Sequence, residues 1–214
     1  MSPAAGSQRR AGRDQRRIAL GLRLLEAVER LIAEGESFTT LSVERIAAEA
    51  GAGRSTFYLY FQDKTELLQS WFTPISEAVE EANRGWQTID GTSTKDDLRA
   101  ILAEIVEAYR THRSALSIVY DATGYDPIMR DLVSEAMDRT VTLLAKHIRL
   151  GQRQGWIIDG ILPRETATWL TWMGQRGGHE LLDLDDEARL PGLIDGYADV
   201  VWGSLYAGAP ARLA

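Results

Sequence analysis

The chain lacks cysteine altogether, and it has no long hydrophobic run. Without cysteine it cannot form disulfides, Cys-ligated zinc sites, iron–sulfur clusters or a thiolate nucleophile. Because no stretch approaches the roughly 18 consecutive apolar residues of a transmembrane helix, we expect no membrane-spanning segment. The N-terminal region carries arginines without an apolar block, which is unlike a secretory signal. These absences favour a cytoplasmic protein.

The 214 residues are 44% apolar and 26% charged, which is ordinary for a globular protein. The net charge of −7 is unevenly distributed. Residues 1–23 contain six arginines and one aspartate, whereas residues 69–214 carry a net charge of −8. Between residues 50 and 62 the only charged side chain is Arg54. An acidic body with a basic end is compatible with a DNA-binding protein.

The hydrophobic pattern has a helical period throughout, and no alternating stretch is long enough to predict a strand. Apolar residues at spacings of three and four predict a first helix over residues 14–34, with an inward stripe of Ile18, Leu22, Leu25, Val28 and Ile32. Caps and glycine breaks divide the remainder into further helices. The sequence therefore predicts an all-α fold of about nine helices.

Residues 38–68 have the pattern of a helix-turn-helix. Ser42 is placed to cap a short helix that ends at Gly51, and a three-residue turn leads to a second short helix. In the second helix Phe57 and Phe61 lie four apart and are expected to face inward. The outward positions then hold hydroxyls, tyrosines and one arginine, which are groups that bind phosphates and base edges.

This segment resembles the TetR family of bacterial transcriptional regulators. The resemblance rests on Ile46-Ala47-Ala48-Glu49-Ala50-Gly51, on Thr56-Phe57-Tyr58-Leu59-Tyr60-Phe61, and on Lys64 followed by Leu67-Leu68. It is strong over about residues 18–70, and the remainder is similar to the ethionamide-resistance type of regulator in length and helix pattern. Gly53 departs from the family pattern, because a serine or threonine usually caps the recognition helix there.

The resemblance implies that Ser42, Arg54, Ser55, Thr56, Tyr58, Tyr60 and Lys64 contact DNA. Arg54 is predicted to read a base, since bidentate arginine–guanine contacts are the commonest specific ones, although a phosphate contact explains it equally well. Lys64 is predicted to bind phosphate at a helix N-terminus. Ser42 either only caps its helix or also touches phosphate. The arginines of residues 9–17 either follow the DNA or form a solubilising tail.

The predicted domains are a flexible basic tail over residues 1–13, a DNA-binding domain over 14–62 and an effector-binding and dimerisation domain over 63–214, with the helix from Asp63 shared. All six tryptophans follow residue 70. We expect them to line a cavity for a small hydrophobic or aromatic effector, with core packing as the alternative. The predicted ligand-binding residues are Trp71, Phe72, Trp86, Tyr109, Tyr120, Tyr125, Trp169, Trp172, Met173 and Arg176.

Small residues recur on one face of each of the last two predicted helices. Glycine inside a helix is unfavourable by about 1 kcal/mol, so such rows indicate the close approach of another helix. The resemblance implies a homodimer formed through these two helices, with close packing within the chain as the alternative. The predicted interface residues are Gly174, Gly178, Gly196, Val200, Gly203 and Ala207.

A small all-α enzyme and a helical adaptor are the competing classes. The sequence lacks a phosphate loop, a dinucleotide-binding fingerprint and a nucleophile elbow, and its three histidines lie far apart and are expected at the surface or at helix ends. We therefore expect no catalysis, no cofactor and no metal site. The predicted function is that of a transcriptional regulator, in the family's usual mode a repressor, that binds a palindromic operator in double-stranded DNA and is released by its effector.

Overall fold

The computed structural model describes residues 3–181 and 187–209, with side chains from residue 11 onward. Within these ranges the chain forms nine α-helices and one short 3₁₀ helix at Arg84–Thr88, and no strand. The helices are α1 (Pro3–Ala33), α2 (Val43–Glu49), α3 (Arg54–Tyr60), α4 (Lys64–Asn83), α5 (Lys95–Thr111), α6 (Arg113–Ala122), α7 (Pro127–Gln154), α8 (Pro163–Glu180) and α9 (Leu190–Leu205). The all-α prediction is confirmed.

The helices form two compact units. Unit 1 comprises residues 1–74 and 117–130, and unit 2 comprises residues 75–116 and 131–214. This division differs from the predicted boundary at residue 63, because the start of α4 and the α6–α7 junction pack with the N-terminal helices. Thr65 Oγ1 donates a hydrogen bond of 2.5 Å to Asp126 Oδ2, while Asp126 Oδ1 accepts from the Ile128 and Met129 amides at the start of α7. Helix α4 thus belongs to both units.

Helix α1 differs from its prediction in extent and in orientation. It begins at Pro3, so residues 3–13, which were assigned to a flexible basic tail, are helical in this structure. This polar segment has no apolar stripe to reveal it, but its alanines, arginines and glutamines favour helix. The buried face consists of Leu20, Leu24, Ala27, Val28 and Leu31, whereas Ile18, Leu22 and Ile32 of the predicted stripe are exposed. The helix carries two apolar stripes, and packing selects between them.

The core of unit 2 is formed mainly by α5, α7 and α9. Leu98 and Leu102 of α5, Ile148 of α7 and Leu205 of α9 are inaccessible to solvent. Thr94 opens α5 with a capping box, in which hydrogen bonds from Thr94 lower the pKa of the Asp97 carboxyl. Ion pairs Arg99–Asp195 and Lys95–Asp199 join α5 to α9 at the surface. This framework fixes the positions of α8 and α9 within unit 2.

One histidine lies in this core, contrary to the expectation that all three are peripheral. His147 is 7% exposed, and its Nε2 lies 2.7 Å from Tyr206 Oη. The rings of Trp86 and Trp156 pack against it at centroid distances of 5.6 and 5.0 Å. His112, by contrast, caps the end of α5 as expected. A single histidine in an apolar helix has no periodic signal that would indicate burial.

Candidate functional site

The helix-turn-helix has the predicted local structure. Ser42 caps α2, and its Oγ accepts a hydrogen bond of 3.1 Å from the Arg45 amide. Gly51 has a φ of 65°, in the left-handed region that glycine adopts without strain. Gly53 caps α3 without a side-chain hydrogen bond, as expected for a residue that lacks a side chain. Each boundary of the α2–turn–α3 segment therefore has a local chemical cause.

Two phenylalanines fix the orientation of α3. Phe57 and Phe61 are buried, and their ring centroids lie 5.6 Å apart. Burial of this pair leaves the opposite face of α3 outward. Arg54, Ser55 and Tyr58 are exposed there, while Thr56 and Tyr60 are partly buried. The structure thus brings together five of the predicted DNA-contacting residues on one short helix, with Ser42 exposed at the start of α2.

The Arg54 guanidinium has two partners on this surface. Arg54 Nη1 lies 2.6 Å from Glu44 Oε1 on α2, and the guanidinium carbon lies 5.5 Å from the centre of the Tyr58 ring. Both members of the ion pair are largely exposed, so exchanging Glu44 for another acceptor costs little. Arg54 can therefore be transferred from Glu44 to a base or phosphate without unfolding any element.

Lys64 lies at the start of a helix, as predicted, but its side chain has partners within the chain. Its Nζ donates to the backbone carbonyls of Phe38 (2.6 Å), Leu41 (2.8 Å) and Thr39 (3.3 Å). It also lies 4.5 Å from the centre of the Phe38 ring, and partial burial lowers its pKa. An ammonium group has three hydrogens, and all three are used here. In this structure Lys64 therefore ties the segment before α2 to the start of α4, and its contact with phosphate stays a prediction.

Two N-terminal arginines contact the helix-turn-helix instead of forming a tail. Arg13 Nη2 donates to the Leu59 carbonyl at 3.3 Å. Arg17 Nη2 pairs with Glu66 Oε1 at 2.7 Å, and its guanidinium lies 5.1 Å from the centre of the Phe61 ring. The side chains of residues 9 and 10 lie outside the described part of the chain. Helix α1 thus brings positive charge close to α3.

Several predicted ligand-binding aromatics belong to unit 1. Trp71 and Phe72 are buried, and Trp71 Nε1 donates to the Gly21 carbonyl of α1 at 2.9 Å. Tyr120 and Tyr125 also belong to unit 1, and Tyr125 is exposed. None of these four residues lines either of the two spaces of unit 2, so their contact with an effector stays a prediction. For Trp71 the alternative of core packing is the correct one.

The aromatic face of α8 is turned outward. Trp169 is 78% exposed, and Trp172 and Met173 are exposed as well. Arg176 is exposed and pairs with Glu180 at 2.8 Å. These side chains share one face, as their spacing predicts, and of the four only Met173 lines one of the two spaces of unit 2. Periodicity identifies residues that share a face, whereas tertiary packing decides which face is buried.

Unit 2 contains two adjoining spaces. The inner cavity has a volume of about 30 Å³ and is lined by Asn83, Trp86, Ile105, Tyr109, Thr140, Leu144, Thr171, Gly174, Gln175 and Tyr197. The outer groove has a volume of about 300 Å³ and is lined by Val106, Met173, Gly174, Gly177, Gly178, Leu181, Gly192, Leu193, Ile194, Gly196, Tyr197 and Val200. Only Trp86, Tyr109 and Met173 of the predicted ligand-binding set line either space.

The polar lining of the inner cavity was not predicted. Asn83, Thr171 and Gln175 are buried in a helical core that is otherwise largely apolar. Thr171 and Gln175 lie four apart on α8, on the face away from Trp169. The spacing of Thr171 and Gln175 could have indicated a polar lining from the sequence. It was overlooked because the tryptophans on the opposite face of α8 form a stronger pattern.

The predicted glycine interface divides into two groups. A Cβ on Gly174 would lie 2.5 Å from Tyr197 Oη, and one on Gly178 would lie 3.3 Å from Tyr109 Cγ. Both glycines therefore permit close packing within the chain, which was the alternative interpretation. On α9, a Cβ at Gly196 or Gly203 would meet no atom within 4 Å. Val200 and Ala207 are also exposed, so the α9 stripe lies on the surface.

No group of three or more histidine, aspartate or glutamate side chains that could hold a metal ion is found within residues 3–181 and 187–209. None of the helices described is long and apolar enough to cross a membrane. The features that do occur are a helix-turn-helix with an exposed polar and aromatic second helix, and a helical unit with a partly polar cavity. They define a helix-turn-helix DNA-binding protein with a second helical unit.

Comparison with known proteins agrees with this class. Residues 24–70 match the family described as bacterial regulatory proteins, tetR family. The transcriptional regulator EthR of Mycolicibacterium smegmatis is 27% identical over 156 residues, which are 72% of this chain and 70% of the relative. The transcriptional repressor DrrR1 of Streptomyces coeruleorubidus is 28% identical over 126 residues, which are 57% of this chain and 42% of the repressor.

A solved structure from Saccharomonospora viridis, determined in complex with choline, is 25% identical to this chain. It superposes with a TM-score of 0.62 and covers 87% of this chain and 97% of its own. The family match covers the helix-turn-helix described above, and the structural match extends over both units. The helix-turn-helix region of the chain matches the tetR family of bacterial regulators, and the chain is a DNA-binding regulator of transcription.

Proposed function

We propose that the chain is a cytoplasmic repressor that binds a palindromic operator as a homodimer and leaves it when a small hydrophobic effector binds to unit 2. The observation that carries this proposal is the exposed face of α3, held outward by the buried pair Phe57 and Phe61. The Streptomyces relative is named a transcriptional repressor, and this supports repression as the mode of regulation. The proposed activity is the binding of operator DNA and of an effector, and it requires no chemical conversion of either.

The proposed DNA contacts are of two kinds: contacts to phosphates position the protein on the duplex, and contacts to base edges read its sequence. The Ser42 hydroxyl already accepts the Arg45 amide, but it retains its own hydrogen for a phosphate oxygen. Thr56, Tyr58 and Tyr60 supply further hydroxyls from α3. Arg54 and Ser55 lie at the exposed start of α3, where a recognition helix meets base edges. Arg54 is proposed to leave Glu44 and to donate to guanine.

Replacing Arg54 with Ala is expected to weaken operator binding by about 2 kcal/mol and to relax base preference at one position, because a bidentate contact to a base is lost. Glu44→Gln is expected to act in the opposite direction, since it removes a competing acceptor and a negative charge near the phosphates. Fluorescence anisotropy with an operator selected from genomic fragments, and with random duplex, measures both. Arg153→Ala, at an exposed position in the last turn of α7, is the matched control.

Equal losses for Arg54→Ala on operator and random DNA would assign Arg54 to a phosphate. If binding to the operator does not change, α3 is not the recognition helix. If the wild-type chain shifts no duplex at low salt, the proposed function itself fails, because phosphate contacts make such binding strongest there.

The proposed dimer surface combines the exposed faces of α8 and α9. Trp169 and Trp172 of α8 and Val200 of α9 are exposed apolar side chains, and a Cβ on Gly196 or Gly203 of α9 would meet no atom within 4 Å. Clustered exposed apolar groups are unusual on a monomer and are typical of an interaction surface. A two-fold dimer could place two α3 helices in successive major grooves, about 34–36 Å apart, which is the reason for expecting an inverted repeat.

Gly203→Trp is expected to convert the dimer to monomers, because the indole fits beside the isolated subunit but occupies the space of the partner helix. Sedimentation velocity measures the change. Gly160→Trp is the matched control, since Gly160 is also exposed and a Cβ there would meet no atom within 4 Å, but it lies in the α7–α8 connection. A Gly203→Trp protein that remains dimeric would place the interface elsewhere.

Helix α4 is the proposed route from effector to DNA. Its first residue, Lys64, holds the segment before α2, and its last residue, Asn83, lines the inner cavity. A ligand that shifts Asn83 therefore acts on the helix that anchors the helix-turn-helix. The choline complex of the Saccharomonospora protein supports a small-molecule site in a protein of this fold. Reciprocity requires operator DNA to weaken the ligand by the same factor by which the ligand weakens DNA.

A further inference from the structure

Helix α3 carries one aliphatic side chain on its outward face. Leu59 is 60% exposed, whereas Phe57 and Phe61 are buried. With about 3.6 residues per turn, Leu59 lies on the side of α3 directly opposite this buried pair. Ser55, one turn earlier on the same side, is exposed as well. Leu59 therefore lies at the centre of the face that is proposed to meet DNA.

The backbone at Leu59 is held in place although it lies near the end of a helix. The last carbonyls of a helix lack partners within the helix, and helix ends commonly fray. Here the Leu59 carbonyl accepts a hydrogen bond of 3.3 Å from Arg13 Nη2 of α1. The Phe61 amide donates to the Phe57 carbonyl at 2.9 Å. These two contacts fix the backbone around residue 59, so its side chain has a defined position.

The chemistry of Leu59 differs from that of its neighbours on this face. An exposed leucine on an ordinary protein surface needs no explanation. Ser55, Thr56 and Tyr58, however, carry hydroxyls that can bind phosphates or base edges, whereas leucine has neither a donor nor an acceptor. Against a phosphate, Leu59 would remove water without replacing a hydrogen bond, which is unfavourable. The apolar group that a base pair presents in the major groove is the C5-methyl of thymine.

We propose that Leu59 is a base-reading residue that packs against the C5-methyl of a thymine in the operator. This inference rests on the proposed function and deepens it, because it adds a specificity-determining residue and the base that this residue selects. The contact is apolar and is independent of the hydrogen bonds proposed for Arg54. Burial of one methyl group is worth a factor of about 4 in affinity.

Deoxyuridine tests this contact, because it pairs as thymine does and lacks only the methyl group. The probe is the operator duplex selected from genomic fragments, with each thymine replaced in turn by deoxyuridine. Fluorescence anisotropy measures the affinity of each duplex. For the wild-type chain we expect a position at which the replacement weakens binding about 4-fold.

Leu59→Ala is expected to bind the thymine and deoxyuridine duplexes equally at that position, because the alanine side chain ends short of the methyl group. Loss of a methyl can also change the shape of DNA, but such an effect would weaken the wild-type chain and the variant alike. The comparison of the two proteins therefore isolates the contact. Leu22→Ala is the matched control, since Leu22 is 56% exposed on α1, and it is expected to retain the 4-fold preference.

Circular dichroism melting is expected to show that both variants are folded, because both leucines are exposed. The inference is overturned if no thymine shows the loss, if Leu59→Ala retains the wild-type preference, or if Leu22→Ala loses it as well. With specific operator binding by the wild-type chain, any of these results refutes the methyl contact alone, and the proposed regulator stands. A wild-type chain that binds no duplex refutes both.

Discussion

Lys64→Met is expected to lower the free energy of unfolding by about 3 kcal/mol, a large fraction of the stability of a typical domain. The ammonium donates to three carbonyls of residues 38–41, and two of these hydrogen bonds are shorter than 3 Å. Methionine keeps the unbranched shape of the side chain, one atom shorter, but cannot donate a hydrogen bond. The carbonyls of Phe38 and Leu41 then lose their partner beside a buried ring.

Urea unfolding monitored by tryptophan fluorescence measures this loss, because Trp71 lies against Phe38 at a ring distance of 6.2 Å. Lys146→Met, at an exposed position on α7, is the matched control and is expected to change stability by less than about 0.5 kcal/mol. A phosphate-binding Lys64 would give the reverse result, with stability unchanged and the salt dependence of DNA binding reduced by about one phosphate contact.

The contrast between α3 and Lys64 shows what the sequence can predict. Every boundary of the helix-turn-helix has a cause within four residues, such as the Ser42 cap, the left-handed Gly51 and the Phe57–Phe61 spacing. The partners of Lys64 lie 23 to 26 residues away along the chain. A lysine at the start of a helix is expected at the surface, and only the tertiary structure supplies three inward carbonyls.

The same distinction explains the ligand-binding predictions. Spacing correctly grouped Trp169 with Trp172 and Met173, but it could not decide between a buried and an exposed face. Trp71 lies seven residues from Lys64 on α4, and its position in unit 1 depends on the Gly21 carbonyl of α1. Residue composition indicated an aromatic cavity, whereas the inner cavity depends on Thr171, Gln175 and Asn83. Polar residues on the inward face of α8 were the better indication of this cavity.

Acidification is expected to destabilise unit 2 through His147. Burial lowers the pKa of His147 from 6.5 to about 4, and a backbone hydrogen bond involving Trp86 opposes this shift. Because the folded-state pKa lies below the unfolded value, the unfolded chain binds the proton first as the pH falls. The stabilisation is complete well above pH 6.5 and is lost as the pH falls towards about 4. At 1.36 kcal/mol per pKa unit, the loss is about 2 kcal/mol at pH 5 and about 3 kcal/mol at pH 4.

Urea unfolding between pH 7 and 4.5, at one protein concentration, measures this contribution. The double variant His147→Phe/Tyr206→Phe is expected to abolish most of the pH dependence above pH 5, since it removes the titrating ring together with the hydroxyl that contacts it. Tyr206→Phe alone is the matched control and should retain it, because the histidine remains buried against Trp86 and Trp156. Carboxyl groups with lowered pKa values, such as Asp90 and Asp97, lose their contributions only at lower pH. An unchanged slope in the double variant would therefore assign the titration to a group other than His147.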